Sequence, residues 1–302
     1  MSRRRPPPRT HVPFLEIHLT LDGGEAEPVE QALFAAGALA VTLKDAGDAP
    51  ILEPAPGATP LWPRIALSAL YADGTDAGAL AARLRASLGP VELTTARVED
   101  RAWEREWLRD FKPMRFGRRL WICPGGQPPP AGGEPPCVVW LDPGLAFGTG
   151  THATTALCLE WLDGASLGGR RVLDVGCGSG VLAIAALKLG AAAALAVDID
   201  PQALIASRDN ALRNAIGAEL EVREADGEWG GPYDVVLANI LAEPLIALAP
   251  RFAAAAAPGG ALVLAGLLIE QAPAVTLACR PWFDMEIAGE RGGWVGLIGR
   301  RR

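Results

Sequence analysis

The sequence predicts an α/β protein in which a doubly wound parallel sheet follows a small α+β domain. A chain of 302 residues is long enough for two domains. From Cys137 onward, strand and helix patterns alternate, and the strand patterns are short and continuously apolar, which is typical of a parallel sheet covered on both faces. Residues 14–98 instead show two helix patterns among four strand patterns. We therefore expect two structural units with separate cores.

The first domain is predicted at residues 13–98, in the order strand, helix, strand, strand, helix, strand. The first strand, FLEIHLTL, alternates apolar and polar residues from Phe14, as a half-buried strand does. The helix PVEQALFAAG ends near Gly37, and a loop rich in proline and acidic residues separates the two middle strands. Two β-α-β halves of this size predict a ferredoxin-like fold.

A linker helix is predicted at residues 99–112, between the two domains. Trp103 and Trp107 lie four residues apart in it and therefore share one helical face. These tryptophans either belong to a core or pack the linker onto a domain, and both interpretations stay open. Farther along, the stretch PGGQPPPAGGEPP predicts an irregular surface loop, because its prolines and glycines oppose regular structure.

The second domain is predicted at residues 113–302. The strand RRVLDVG leads through glycines into the helix VLAIAALKLG, and ALAVDID is the next strand. Asp200 is predicted to cap the following helix, which has Pro201 in its first turn. Three further strands follow, and the chain ends in a hairpin across ERGG; these strands are LEVREAD, YDVVLANI and ALVLAGLL. The pattern predicts a doubly wound sheet with an antiparallel edge.

Composition and charge exclude several classes of protein. The net charge of −7 argues against a protein that coats nucleic acid and favours a basic partner. No apolar segment follows the arginines of residues 1–12, so we expect a disordered basic tail rather than an export signal; an arm that grips nucleic acid is the alternative. Dispersed cysteines and only three histidines predict reduced thiols, no metal site and a cytoplasmic protein.

The stretch LDVGCGSG, between a strand and a helix, carries the strongest chemical signal. Gly176, Gly178 and Gly180 let the backbone turn tightly and approach a ligand at the positive end of the next helix. The NAD-binding pattern would need a glycine at the position of Val181. The stretch instead resembles the first motif of Rossmann-like class I methyltransferases, whose ligand is S-adenosylmethionine. Taken alone, it also fits another nucleotide site or a plain turn.

Polar residues follow the next three strands, at the edge where open α/β sheets bind their ligands. Asp198 ends the second strand, where a carboxylate can accept both ribose hydroxyls. Asp226 follows the third strand, where methyltransferases place a contact to adenine; a solvated turn is the alternative. Asn239 ends the fourth strand, where cofactor and methyl acceptor are expected to meet. The stretch NILAEP there lacks the aromatic residue of the N-P-P-Y motif, which favours a flexible amine as acceptor.

The stretch FGTGTHATT precedes the first strand of this sheet and is predicted to fold over the cofactor. Its glycines allow close approach, and its threonines offer hydroxyls; the predicted contacts are Phe147, Gly148, Thr149 and Thr155. A helix cap with a turn is the alternative for each threonine. His152 fits a capping or packing role better than that of a general base, so no catalytic side chain is predicted.

Together these motifs resemble one family, the bacterial methyltransferases of large-subunit ribosomal protein eleven (PrmA). The resemblance rests on LDPGLAFGTGTHATTALCLEWL, DVGCGSGVLAIAALKLGA, DIDPQA and NILAEPL, and it extends over nearly the whole chain. It implies N-methylation, from S-adenosyl-L-methionine, of lysine ε-amines and the N-terminal α-amine of that ribosomal protein. It further implies substrate recognition by residues 13–98 and cofactor contacts at Thr155, Gly176, Asp198 and Asn239. The arginine-rich start departs from the family pattern.

Other functions fit the sequence less well. The acidic balance, and the lack of a basic module rich in aromatic residues, argue against a methyltransferase of RNA, and a small amine is a further alternative acceptor. An inactive scaffold conflicts with the intact glycine motif and its acidic partners, and a nicotinamide oxidoreductase conflicts with Val181. We expect a monomer whose partner is ribosomal protein eleven and which requires neither nucleic acid nor a membrane.

Overall fold

The structure is a computed structural model that describes residues 14–47, 51, 59–98, 112–132, 134–141 and 152–302. The chain divides into two compact units, Met1–Glu106 and Trp107–Arg302. The predicted basic tail at 1–12 lies outside the described residues. Of the predicted linker helix at 99–112, only Lys112 is described, and it lies in an irregular segment.

The smaller unit contains a four-stranded antiparallel sheet with two helices. The strand order is β2-β3-β1-β4, and every neighbouring pair is antiparallel. This order, with the connectivity βαββαβ, confirms the predicted ferredoxin-like fold. The elements are β1 (Phe14–Asp22), α1 (Ala26–Ala35), β2 (Ala40–Asp45), β3 (Arg64–Tyr71), α2 (Ala77–Leu88) and β4 (Thr94–Val98).

The core of this unit follows from the alternation of apolar residues in β1 and β3. Every second side chain of these strands is buried, for example Ile17 and Leu67, and it packs against Leu33 of α1 and Leu84 of α2. The Tyr71 hydroxyl donates a hydrogen bond to the carbonyl of Leu33 at 3.2 Å, which ties the end of β3 to α1. Residues of the other sheet face remain partly or fully exposed, as the alternating sequence predicts.

The larger unit begins with a small sheet that the sequence does not predict. It consists of β5 (Met114–Phe116), β6 (Leu120–Pro124) and β7 (Cys137–Leu141). Asp163, in α3 (Ala153–Gly164), accepts backbone hydrogen bonds from Arg118 at 2.5 Å and Leu120 at 3.0 Å and so fixes the turn between β5 and β6. Strands this short show too little periodicity to be recognised. Pro124, predicted in the irregular loop, is instead the last residue of β6.

A seven-stranded sheet forms the centre of the larger unit. Its order is β10-β9-β8-β11-β12-β14-β13; the first five strands are parallel, and β14 and β13 are antiparallel to their neighbours. The strands are β8 (Arg171–Val175), β9 (Ala193–Asp198), β10 (Leu220–Glu224), β11 (Tyr233–Asn239), β12 (Ala256–Leu268), β13 (Phe283–Arg291) and β14 (Trp294–Arg301). This confirms the predicted doubly wound sheet with its C-terminal hairpin.

Helices cover both faces of this sheet, so neighbouring residues of one strand enter two different cores. In β8, Val172 packs with α3 and with the helix Val181–Lys188, whereas Leu173 packs with the helices Ala242–Ala255 and Ala272–Cys279. Burial on both faces explains why these strands are continuously apolar. The remaining helices are α4 (Val181–Lys188), α5 (Pro201–Arg213), α6 (Ala242–Ala255) and α7 (Ala272–Cys279). None of the helices in the described ranges has both the length and the apolar character that a membrane span requires.

The strand order places a ligand site at one edge of the sheet. From β8 the chain proceeds through β9 to β10 on one side, and β11 and β12 continue the sheet on the other side. A crevice forms outside the carboxyl ends of the strands where the order reverses, here between β8 and β11. The residues that end or follow these strands are therefore the candidates for function.

Candidate active site

The glycine turn after β8 has the geometry that the sequence predicts. Gly176, Gly178 and Gly180 have φ angles of +74°, +54° and +77°, in the left-handed region that favours glycine. The N–H groups of Gly176 and Cys177 both donate to the carbonyl of Val197, at 2.8 and 3.1 Å, which holds the turn against β9. Burial raises the pKa of the Cys177 thiol, so this cysteine stays protonated and is no nucleophile.

Asp198 connects the glycine turn to the helix that follows β9. Its Oδ2 accepts a hydrogen bond from the N–H of Gly178 at 2.9 Å, and its Oδ1 accepts one from the N–H of Asp200 at 3.0 Å. Asp200 in turn caps α5, since its Oδ1 accepts from the N–H of Gln202 at 2.8 Å. The carboxylate of Asp198 is only half-buried. Each oxygen has a further lone pair, so the group can accept ligand hydroxyls in addition.

Thr155 and Asn239 meet although they are far apart in the sequence. The Nδ2 of Asn239, at the end of β11, donates to the Oγ1 of Thr155, near the start of α3, at 3.1 Å. Thr155 is buried and Asn239 is half-buried. The fold thus brings both predicted contacts to the same edge as the glycine turn. The mutual hydrogen bond is not evident from the sequence, because 84 positions separate the two residues.

Asp226 lies on the exposed rim of a pocket of about 480 Å³ between α5 and β10. The preceding residue, Ala225, donates its N–H to the carbonyl of Asp198 at 3.0 Å, so Asp226 follows the segment next to that carboxylate. Arg208 and Arg223 line the same pocket. Within the described part of the chain, no hydrogen bond joins Asp226 to the other predicted site residues. Its position leaves both the predicted adenine contact and a solvated turn compatible with the structure.

The remaining predicted contacts, Phe147, Gly148 and Thr149, lie outside the described residues. His152, just after them, is the N-cap of α3: its Nδ1 accepts weakly from the N–H of Thr154 at 3.4 Å and lies 2.8 Å from the Thr154 hydroxyl. The imidazole also packs edge-on against Trp294, with ring centroids 5.0 Å apart. An Nδ1 that accepts a hydrogen bond leaves the proton of a neutral imidazole on Nε2, which fits a capping role.

Two residues at this edge were not predicted as site residues. Ile199, directly after Asp198, is 88% exposed, which is unusual for isoleucine and marks an apolar surface beside the carboxylate. Asp174 is 1% exposed; its Oδ2 accepts from the N–H of Ala183 at 3.1 Å, and its Oδ1 has no hydrogen-bond partner among the described residues. It thereby supplies the N-terminal cap of α4 that Gly180 lacks. The sequence shows Asp174 as the first residue of the motif DVGCGSG, and its charge within an apolar strand is the signal that could have identified its buried role.

The ionisation of Asp174 is shifted strongly by its surroundings. Burial, reinforced by the nearby charge of Asp198, raises the pKa of Asp174 to about 7, although the N–H of Ala183 opposes the shift. The folded protein therefore keeps a proton on this carboxyl group up to neutral pH. A neutral carboxyl group is the form that such a buried position tolerates best.

The strand order, the inserted antiparallel β14, the glycine turn after β8 and the carboxylate that ends β9 together define a class I, S-adenosylmethionine-dependent methyltransferase. Comparisons with known proteins identify the family within this class. The model of the family "Ribosomal protein L11 methyltransferase (PrmA)" matches residues 13–302. The chain belongs to this family.

Several relatives are similar over almost their full length. The ribosomal protein L11 methyltransferases of Pseudomonas aeruginosa (strain LESB58) and Azotobacter vinelandii are 51% and 52% identical to this chain, and the alignments cover 96% of this chain and 99% and 100% of those proteins. A crystal structure of ribosomal protein L11 methylase from Lactobacillus delbrueckii subsp. bulgaricus is 32% identical, with a TM-score of 0.58; it covers 64% of this chain and 100% of that one.

We predict that Asp174→Asn stabilises the protein increasingly as the pH rises. The pKa of Asp174 is 3.8 when unperturbed and about 7 in the fold, so the folded protein holds this proton more tightly than the unfolded chain does. The resulting contribution to the free energy of unfolding is complete at low pH and is lost as the pH rises through 7. The amide does not ionise. The difference in unfolding free energy, variant minus wild type, should therefore grow by up to about 1.4 kcal/mol for each pH unit until neutral pH is reached.

Urea unfolding at a series of pH values measures this difference. The exposed Asp209→Asn serves as the control, because it removes a carboxylate from the same region without a burial penalty. A difference between Asp174→Asn and wild type that does not change with pH would contradict the assignment of a raised pKa.

Proposed function

We propose that this protein transfers methyl groups from S-adenosyl-L-methionine to lysine ε-amines and the N-terminal α-amine of ribosomal protein L11. The observation that carries the proposal is the sequence identity of 51%, over 96% of the chain, to a protein named ribosomal protein L11 methyltransferase. The aligned region includes both units of the chain. The fold class alone would not identify the molecule that accepts the methyl group. The candidate site offers groups that would hold the cofactor of such a reaction.

The described residues fit the cofactor. A Cβ atom on Gly176 would lie 2.3 Å from Cγ2 of Ile240, so the backbone there is as close to its neighbours as glycine allows. Asp198 would accept the ribose hydroxyls, and Thr155 and Asn239 would hold the amino-acid portion together with the backbone at Gly176 and Gly178. When bound, S-adenosylmethionine supplies an electrophilic methyl group on a positively charged sulfur. Phe147, Gly148, Thr149 and Asp226, the last as a contact to the adenine, complete the proposed set of contacts.

The chain's own contribution to the reaction is alignment and desolvation. A lysine has a pKa of about 10.4 in water and must lose its proton before it can attack. Enclosure beside a positive charge favours the neutral amine, and a fixed orientation of the two reactants can contribute about 7–11 kcal/mol. We assign no side chain as an obligatory base. Cys177 stays protonated, and the Nδ1 of His152 is engaged with Thr154.

Charge at the carboxyl edge of the sheet suits a basic substrate. Six exposed acidic residues end or follow the strands at this edge: Asp200, Glu224, Asp226, Glu228, Glu243 and Glu270. Such a surface attracts a lysine-rich segment and raises its rate of encounter, and it repels the phosphates of RNA. Arg208, Arg223 and Arg251 lie beside some of these acidic residues, which outnumber them, and this acidic balance supports a protein amine over a nucleic acid as the acceptor.

We further propose that residues 13–98 recognise the substrate protein. Phe34 is 47% exposed and Leu39 is 60% exposed, on either side of the turn at Gly37 in the smaller unit. Exposed apolar side chains at one turn are typical anchors of a protein interface. We also propose that the protein acts in the cytoplasm as a monomer and that catalysis requires no nucleic acid.

Methyl-labelled S-adenosylmethionine tests the acceptor directly. The purified protein is mixed separately with ribosomal protein L11, ribosomal RNA and free lysine, and the label is located by mass spectrometry. We expect label on lysine side chains and the N-terminal amine of L11, and none on RNA. Label on RNA or on free lysine in preference to L11 would contradict the proposed function.

The role of the smaller unit is tested with the double variant Phe34→Ser/Leu39→Ser in the full chain. Loss of two apolar anchors, each worth about 1.5–3 kcal/mol when buried, should raise KM for L11 by about tenfold or more, with kcat and the binding of S-adenosylhomocysteine unchanged. Leu277→Ser, an exposed leucine on α7 of the larger unit, is the matched control. An unchanged KM for L11 in the double variant would show that the surface at Phe34 and Leu39 does not recognise the substrate.

A further inference from the structure

Ile240 lies between two glycines at the carboxyl edge of the sheet. It directly follows Asn239, and it is half-buried against the core shared with α6 and α7. On one side, a Cβ atom on Gly176 would lie 2.3 Å from Cγ2 of Ile240. On the other side, a Cβ atom on Gly266 would lie 2.4 Å from the carbonyl oxygen of Ile240 and 2.9 Å from its nitrogen. Both glycines have positive φ angles, +74° and +87°.

The two contacts differ in kind. Gly176 belongs to the turn after β8 and meets the side chain of Ile240, whereas Gly266 meets its backbone. Gly266 lies where the pairing of β12 with β14 shifts register, between Leu264 and Leu267. Such a bulge bends a strand locally and is a fixed feature of its sheet. The backbone of Ile240 therefore rests on the bulge, and its side chain reaches across to the glycine turn.

The position of Ile240 links the two halves of the candidate site. The glycine turn is hydrogen-bonded to Asp198, and Asn239 is hydrogen-bonded to Thr155. In this closely packed region, the side chain of Ile240 sets how near the turn can come to the end of β11. A shift of about 1 Å between reacting groups can reduce a rate by on the order of a hundredfold, so this spacing matters for transfer.

We propose that Ile240 is a positioning residue that sets the distance between the cofactor turn and the strand end that carries Asn239. The proposal rests on the proposed function, because it assigns the turn to the cofactor and Asn239 to the place where the acceptor enters. Ile240 acts through its contact with Gly176 and takes no part in the chemistry itself. An ordinary core residue would instead affect only the stability of the fold.

Kinetics separate these two roles. Ile240→Ala should lower kcat for L11 by about tenfold or more while KM and the affinity for S-adenosylhomocysteine change much less, since the reactants bind but align poorly. Ile240→Val, which removes only Cδ1 and keeps the Cγ2 methyl group that faces Gly176, should retain most of kcat. Ile246→Ala, an exposed isoleucine on α6, is the matched control and should resemble wild type. A kcat for Ile240→Ala equal to that of Ile246→Ala would overturn the proposal.

A double-variant cycle tests the contact itself. Gly176→Ala should weaken the binding of S-adenosylhomocysteine, because the new methyl group collides with the Ile240 side chain. Adding Ile240→Ala removes the colliding atom and should restore part of the affinity; the positive φ at Gly176 keeps the recovery incomplete. Gly266→Ala collides with backbone atoms of Ile240, so the same second change should not rescue it.

The outcomes distinguish this proposal from the function on which it rests. Wild-type protein that binds no S-adenosylhomocysteine would overturn both. Wild-type protein that binds it, together with a Gly176→Ala/Ile240→Ala variant that binds no better than Gly176→Ala, would overturn the role of Ile240 alone. If Ile240→Ala restored the affinity of Gly266→Ala for S-adenosylhomocysteine as strongly as that of Gly176→Ala, the proposed role of Ile240 would also be contradicted. Such a result would show that Ile240→Ala loosens the site in general.

Discussion

The carboxylate of Asp198 holds together the three segments that meet at the ligand-binding edge. One of its oxygens accepts from the N–H of Gly178 in the turn after β8, and the other accepts from the N–H of Asp200 at the start of α5. The turn, the end of β9 and the next helix are thereby fixed relative to one another. A carboxylate offers about four acceptor sites, so the same group can serve the fold and also receive ligand hydroxyls.

The rest of the larger unit supports this arrangement. Strands that are buried on both faces carry most of their polar residues near their ends, and five parallel strands bring their carboxyl ends to one edge. At this edge Asn239 contacts Thr155, and Ile240 contacts the glycine turn. The ends of β8 and β11 and the start of α3 are thereby joined in one cluster of contacts. The acidic residues around this edge favour a basic substrate, while the smaller unit offers exposed apolar anchors at Phe34 and Leu39.

Much of this could be predicted from local pattern, and the remainder depends on distant contacts. Apolar periodicity predicts both folds, and the glycine spacing with the carboxylate of Asp198 predicts the turn and its partner strand. The small sheet β5-β6-β7 escapes prediction because its strands are short and depend on Asp163, which lies more than 40 positions away. Likewise, no local pattern shows that Ile240 abuts both Gly176 and Gly266. Nor does any local pattern show that Asp174 is buried with one oxygen that accepts no hydrogen bond from the described part of the chain.

The most direct test of the central role of Asp198 is calorimetric binding of S-adenosylhomocysteine to Asp198→Asn, which keeps the shape of the side chain and removes its charge. In asparagine an NH2 donor replaces one acceptor oxygen and the charge is lost, so one ribose hydrogen bond is lost and the other is weakened. Because a hydrogen bond to a charged acceptor contributes about 1.5–3 kcal/mol, binding should weaken on the order of tenfold to a hundredfold. Asp209→Asn, on the exposed face of α5, controls for net charge, and thermal unfolding checks that both variants fold. A dissociation constant for Asp198→Asn equal to that of wild type would contradict the account.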